Sequence, residues 1–416
     1  MSRPDVIIVG AGLAGLSCGL RLLEHGITPL LLEASDAPGG RVRTDEVDGF
    51  LLDRGFQVLL TAYPEAQRLL DYGTLDLRPF YPGALIRQGK SFHRIADPWR
   101  HPLDGVRSVF APIGSLTDKL KISQIRRAVC AGSLRDLARR PETTTLDALA
   151  LAGVSPTMID RFFRPFYGGI MLDLDLQTSS RIFDFTFRMF ASGDTVVPAQ
   201  GMQAIPDQLA ARLPAGALRC NTRVVEVSDG CVRTAEGEDV RAAAVVIATD
   251  AHDAARLQRG GPERSFRGVT CLYFDAPESP VGEPVIVLDS EGVGPVNNLH
   301  VVSDVSSAVA PSSRALVSVT VIGTPRETNA ALESRVRAQL ERWYGVVVRE
   351  WRHLRTYDIP HAHPDQMPPV LREMERPVRL ARARYICGDH VETASIHGAL
   401  RSGRRAADAV HADFTA

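Results

Sequence analysis

The six cysteines (Cys18, Cys130, Cys220, Cys231, Cys271 and Cys387) are scattered and form no CxxC pair, so the chain lacks the pattern of a zinc ribbon or a dithiol redox centre. No Cys, Asp or Glu cluster accompanies His361-x-His363, so no metal is expected there. Lysine is scarce, with none after Lys121, and the formal net charge of −1 leaves no basic field for nucleic acid. No apolar run approaches the length of a membrane span, and the amino terminus enters a strand with no room for a signal peptide. These absences describe a cytoplasmic protein of ordinary composition without a nucleic-acid partner or a transmembrane segment; peripheral membrane contact stays open. At 416 residues the chain is long enough for two domains.

What the chain does have is concentrated in residues 5–43. Val6-Ile7-Ile8-Val9 reads as a buried parallel strand. Gly10-x-Gly12-x-x-Gly15 follows at once. In a dinucleotide fingerprint these glycines permit the tight turn, the backbone approach to a pyrophosphate and close helix–strand packing. A helix is expected through Leu16, Leu20 and Leu23, stopped at Gly26, with its amino-terminal N–H groups facing a phosphate. A second strand at 30–32 ends at Glu33, spaced to meet an adenosine ribose hydroxyl. Gly39-Gly40-Arg41 adds a close-approach turn and a cation suited to a phosphate. The pattern does not by itself choose between NAD and FAD.

Gly10-x-Gly12-x-x-Gly15, Glu33, Gly39-Gly40-Arg41-x-x-Thr44 and Asp53-x-Gly55 resemble the amino-terminal signature of FAD-dependent amine oxidases, phytoene-desaturase-type enzymes and protoporphyrinogen oxidases. Gly388-Asp389 and Ser395-Ile396-His397-Gly398-Ala399-x-x-Ser402-Gly403 are similar to that superfamily's second flavin motif. The resemblance implies an α/β fold (α+β overall): a discontinuous Rossmann-like FAD-binding domain with an inserted mixed-sheet and helical substrate domain. Residues 1–75, 195–265 and 375–416 are assigned to the first, 76–194 and 266–374 to the second. It further implies non-covalent FAD contacted by Gly10, Gly12, Leu13, Ala14, Gly15, Glu33, Ala34, Gly39, Gly40, Arg41, Gly55, Phe56, Gln57, Val224 (through its backbone), Gly388, Asp389, Ser395, Ile396 and Ala399.

The inserted stretch 76–194 is rich in proline, arginine and aromatics and lacks strand–helix alternation; 111–138 reads as a helix with a basic face. The aromatic cluster Phe162, Phe163, Phe166 and Tyr167 reads as core or as the lining of an apolar cavity. Arg164, Tyr167 and Arg188 are candidates for binding a substrate carboxylate. Strands at 269–274, 285–288 and 316–322 suggest a mixed sheet. In amine oxidases of the resembled group a lysine stands where Thr270 stands here, and an aromatic cage residue lies near the position of Ser395. No cysteine follows Asp389 to link a flavin covalently. The chemistry implied is removal of hydride from carbon in a mostly apolar small molecule, with oxygen or a quinone as electron acceptor. The alternatives are amine oxidation without the usual lysine, a flavin-dependent isomerisation without net redox change, and a non-enzymatic ligand-binding flavoprotein. His397 and Tyr357 are the weak catalytic candidates.

Overall fold

The structure, a computed structural model, describes residues 4–101, 103, 111–258, 260, 265–369 and 375–416. Its fold is α/β with mixed sheets. The last expected domain junction, at 374/375, adjoins residues 370–374, which lie outside the described residues.

Val6–Val9 is wholly buried because its side chains meet apolar layers on both faces. It lies inside a six-stranded sheet of order Leu218–Arg219, Pro29–Leu32, Val6–Val9, Ala244–Ile247, Arg384–Ile386 and Arg379–Ala381. The first five strands run parallel, and a hairpin closes the edge. On one face, Ile8, Leu31 and Val246 pack with the helices Leu13–Glu24 and Ile396–Thr415. On the other, Ile7, Val9 and Leu30 pack with the small antiparallel sheet that begins at Val224–Ser228 and with the helix Ala251–Leu257. The chain's first and last helices touch directly: a Cβ on Gly403 would stand 2.1 Å from the Ala14 carbonyl oxygen. Ser17 Oγ also donates to the Leu400 carbonyl at 2.7 Å.

A seven-stranded sheet has the order Arg352–Pro364, Phe266–Ala276, Ala315–Ile322, Val296–Val301, Ile286–Asp289, Gly83–Gln88 and Ser91–Ala96. The helix Asn329–Tyr344 covers one face through Leu332, Val336 and Leu340. Two of these strands come from 76–194, the stretch read as lacking strand–helix alternation, where no strand was assigned; Gly83–Gln88 pairs in parallel with Ile286–Asp289, a partner about two hundred residues away that local pattern cannot reveal. The helix expected over 111–138 is divided into Leu116–Cys130 and Leu134–Ala138. Ser115/Asp118 and Ser133/Asp136 each form a capping box, and the second box starts a new helix where the basic face reads as continuous. The aromatic cluster is core on one side: Phe163 and Tyr167 are buried against Phe183, while Phe162 and Phe166 are half-buried.

Candidate functional site

The glycine-rich turns, Glu33 and the Gly388-Asp389 pair all lie at the carboxyl ends of the parallel strands, where open α/β sheets bind ligands. Gly10 has φ +102°, and a Cβ on Gly15 would stand 2.0 Å from the Gly10 carbonyl oxygen. Those two glycines are therefore required by the fold itself. Gly12 differs. Its φ is an ordinary −68°, and the nearest atom to an added Cβ is Gly40 Cα at 4.0 Å. Gly12 pairs with Gly39 in an isolated bridge, so the walls of this cleft carry no side chain. Gly12 caps the helix Leu13–Glu24 without a side-chain hydrogen bond, so Leu13 and Ala14 carry their N–H groups at an uncapped helix end. A narrow cleft with a free helix amino terminus fits a pyrophosphate.

Glu33 is buried, with Oε2 accepting from the Ala11 N–H and Oε1 from the N–H and hydroxyl of Ser35. The acid thus braces the turn next to Ala34. The segment before Val224 runs alongside it, since the Thr222 N–H donates to the Glu33 carbonyl. The Val224 side chain is buried in the core.

Arg41 and Asp389 meet across the sequence, Nη2 to Oδ1 at 2.6 Å, and Arg41 Nη1 donates to the Ala362 carbonyl. Burial alone would raise the Asp389 carboxyl, but the charge and hydrogen bond of Arg41 outweigh it and hold that carboxyl below the usual range. Gln57 Nε2 donates to the carbonyls of Arg41 and Arg54 and fixes this loop. Gly55, at φ +90°, brings the same loop against Ile359, leaving 2.8 Å between an added Cβ and Ile359 Cδ1. Phe56 lies on the far side, 4.3 Å from His300 between ring centroids. Ser395 Oγ caps the last helix by accepting from the Gly398 N–H, with Ile396 and Ala399 in its first turn.

The two catalytic candidates have different partners. His397 is packed against Tyr63 and Phe185, its Nδ1 accepts from the Glu65 N–H, and burial lowers its pKa to about 4. Tyr357 donates its hydroxyl to Asp45 at 2.8 Å, and burial with that carboxylate pushes the phenol up. Arg164, Tyr167 and Arg188 do not form a carboxylate site: Arg164 pairs with Asp160, Arg188 donates to the Gly132 carbonyl, and Tyr167 is in the core. The ring nitrogens of His363 lie 2.9 and 3.1 Å from the carbonyl oxygens of Pro364 and Ala394. Thr270 is fully buried, with its hydroxyl 3.0 Å from Asp358 Oδ1 and 3.1 Å from the Gly323 carbonyl.

Sequence reasoning missed two groups, His390 and His300, and gave Asp53 a place in a motif but no role. His390, adjacent to Asp389, is buried, and neither ring nitrogen has a partner among the described residues. Asp53 accepts from Thr44 Oγ1 and the Met202 N–H, and burial raises its pKa to about 6. His300 faces the Gly55–Gln57 loop. The position of His390 beside the second motif was a usable signal; His300 carried none.

A family model for flavin-containing amine oxidoreductases matches residues 13–411. The chain belongs to this family. Its cofactor is FAD, and the glycine cleft, uncapped helix and unpartnered His390 are compatible with a large polar ligand. The chain is 42% identical over 74 residues to a 15-cis-phytoene desaturase of an Oncidium hybrid cultivar, a match covering 18% of this chain and 12% of that protein. It is 37% identical over 113 residues to the putrescine oxidase of Kocuria rosea, covering 27% and 22%. The matched segments thus span less than a quarter of these relatives. In fold, it superposes on a structure assigned as a protoporphyrinogen oxidase from Exiguobacterium sp. 255-15, with a TM-score of 0.74 and 16% identity over 99% of this chain and 100% of that one. Among the described residues, no helix is long and apolar enough to cross a membrane.

Proposed function

We propose that this protein is an FAD-dependent oxidoreductase that takes hydride from carbon in a largely apolar organic molecule, as a desaturase or protoporphyrinogen oxidase does. Bound FAD supplies the hydride acceptor. One observation carries the reading: where the Gly55–Gln57 loop meets the seven-stranded sheet, a small cavity has Phe56, Phe80, Val197, Val302 and Val305 on its wall, beside the polar side chains of Asp53, Gln57, Tyr273 and His300. Those five side chains offer apolar surface to a ligand. The absence of lysine near Thr270 weighs against simple amine oxidation.

In this reading, residues 1–75, 195–265 and 375–416 hold non-covalent FAD, and 76–194 and 266–374 hold the substrate. The six- and seven-stranded sheets support the division, and the three-stranded sheet of Leu59–Leu60, Thr195–Pro198 and Leu77–Pro79 crosses it at the first junction. Gly12 and Gly40 admit the pyrophosphate, Glu33 and the Val224 main chain hold the adenosine end, and Arg41 with Asp389 orients the central portion. The electrons pass to oxygen or a quinone.

The test is anaerobic mixing of FAD-loaded protein with a panel of polyenes, tetrapyrroles and primary amines. Lasting bleaching of the flavin band by an apolar compound is expected. Bleaching by amines alone overturns the reading, and product without net bleaching replaces it with an isomerase.

A further inference from the structure

The seven-stranded sheet has two unlike faces. Toward the helix Asn329–Tyr344 it presents Leu272, Phe274, Leu299, Val317 and Val319. The other face is polar yet buried. Asn298, Thr320 and Cys271 stand in one cross-strand row, and His300, Ser318 and Tyr273 in the next. Polar groups on a buried face are costly unless hydrogen-bonded. Five of the six have partners. Asn298 Nδ2 donates to Thr320 Oγ1, Cys271 Sγ lies 3.4 Å from Ser318 Oγ, and the Tyr273 hydroxyl donates to the Asp53 carbonyl at 2.8 Å. His300 breaks the pattern. It is 4% exposed, and its Nδ1 has no partner among the described residues.

The His300 ring is gripped by Phe56 and Phe80, with centroids at 4.3 and 5.6 Å. It borders the cavity that Gly55, Phe56 and Gln57 share with Tyr273 and Val302. That cavity has about 10 Å³ of free volume, the room of one water-sized group. A hydroxyl or carbonyl tip fits it, and a ring does not. The titratable groups around the cavity are Asp53 and Tyr273. Burial lowers the His300 pKa to about 3, so the ring is neutral and offers a hydrogen bond without charge. It therefore has no charge with which to attract a carboxylate.

We propose that His300 is a specificity-determining anchor for an uncharged polar group, a hydroxyl or carbonyl, borne by an otherwise apolar substrate. This rests on the proposed function, with the apolar side chains around the cavity forming part of the substrate site: the substrate's apolar body lies outside the cavity and only its polar tip enters.

The test uses the FAD-loaded full chain with ethylbenzene, benzyl alcohol and benzylamine as isosteric probes. Binding is read from perturbation of the flavin absorption band, and the histidine contact from ¹⁵N shifts of the His300 ring. Benzyl alcohol is expected to bind roughly five- to tenfold more tightly than ethylbenzene, the weight of one hydrogen bond in a dry site. His300→Phe removes that preference while ethylbenzene still binds; His300→Gln, which keeps a neutral hydrogen-bonding group, retains most of it. If ethylbenzene binds and alcohol gains nothing, or if His300→Phe leaves the preference intact, the anchor is refuted while the apolar site stands. Tightest binding by benzylamine, or no binding by any probe, overturns both.

Discussion

Arg41 and Asp389, 348 positions apart, form a hydrogen-bonded ion pair at 2.6 Å that ties the Gly39-Gly40 turn to the end of the strand Arg384–Ile386. The carboxylate is nearly buried, while the guanidinium side chain keeps 36% exposure. Removing the cation therefore leaves an uncompensated acid. Arg41→Ala is expected to destabilise the apoprotein by about 1–3 kcal/mol at pH 7 and to weaken FAD retention. The Asp389 pKa is depressed in the folded state, so the pair's stabilisation is present above the ordinary carboxylate range and disappears as pH falls through the folded value. The penalty of Arg41→Ala should thus shrink under strong acid. Urea unfolding at neutral and acid pH checks this, and an equal penalty at both would contradict it.

Gly12 and Gly15 belong to one motif but carry different burdens. Alanine at position 15 collides with the Gly10 carbonyl, whereas alanine at position 12 meets nothing closer than 4.0 Å. Gly15→Ala is expected to cost about 1–3 kcal/mol of apoprotein stability through overpacking. Gly12→Ala should leave the apoprotein's melting temperature near wild type and lower FAD affinity at least tenfold, because the methyl occupies the cleft. Thermal unfolding of apoprotein, paired with FAD titration, separates the two. Wild-type FAD affinity in Gly12→Ala would remove the cleft from the cofactor site.

The difference between these glycines also marks what the sequence could convey. Val6–Val9, Gly10-x-Gly12-x-x-Gly15 and the strand ending before Glu33 are local, so the composition and spacing of one short segment define them. Gly388 and Asp389 were legible because the second motif is equally compact. The pairing of Gly83–Gln88 with Ile286–Asp289 was not, since neither segment constrains the other until the chain is folded. Arg41 was read as a cation suited to a phosphate, but its partner in the fold is Asp389, which only the assembled strand ends bring within reach. His300 is the extreme case: nothing beside it in the sequence distinguishes it, and its significance comes from Phe56, Phe80 and the cavity.

Tyr357 reaches from the strand Arg352–Pro364 to Asp45 on the hairpin formed by Thr44–Val47 and Phe50–Asp53. That contact fastens the two sheets' territories together and engages the hydroxyl. Tyr357→Phe is expected to lose about 1 kcal/mol, one hydrogen bond to a charged acceptor in a half-exposed setting, and to leave the flavin spectrum unchanged. A spectral shift in this variant, measured at full FAD occupancy, would instead place the hydroxyl at the flavin.

Asp53 and His397 titrate in the same window with opposite consequences. Burial raises Asp53 to about 6, above its unfolded value near 4, so the folded state holds the extra proton and loses stability as pH rises through that interval. Burial lowers His397 to about 4, below its unfolded value near 6.5, so the folded state refuses a proton and loses stability as pH falls through nearly the same interval. In the wild type the two slopes largely cancel. Asp53→Asn keeps an oxygen for Thr44 and Met202 but removes the first slope, so stability between about pH 4 and 6 should fall more steeply on acidification, by about 2 kcal/mol across the window. His397→Gln removes the second slope and should tilt the curve the other way by a similar amount, with FAD still bound. Denaturant midpoints at half-unit pH intervals measure both tilts. If His397→Gln instead leaves the stability curve unchanged and abolishes a pH step in flavin reduction, His397 acts on the substrate or flavin and not through the aromatic packing of Tyr63 and Phe185.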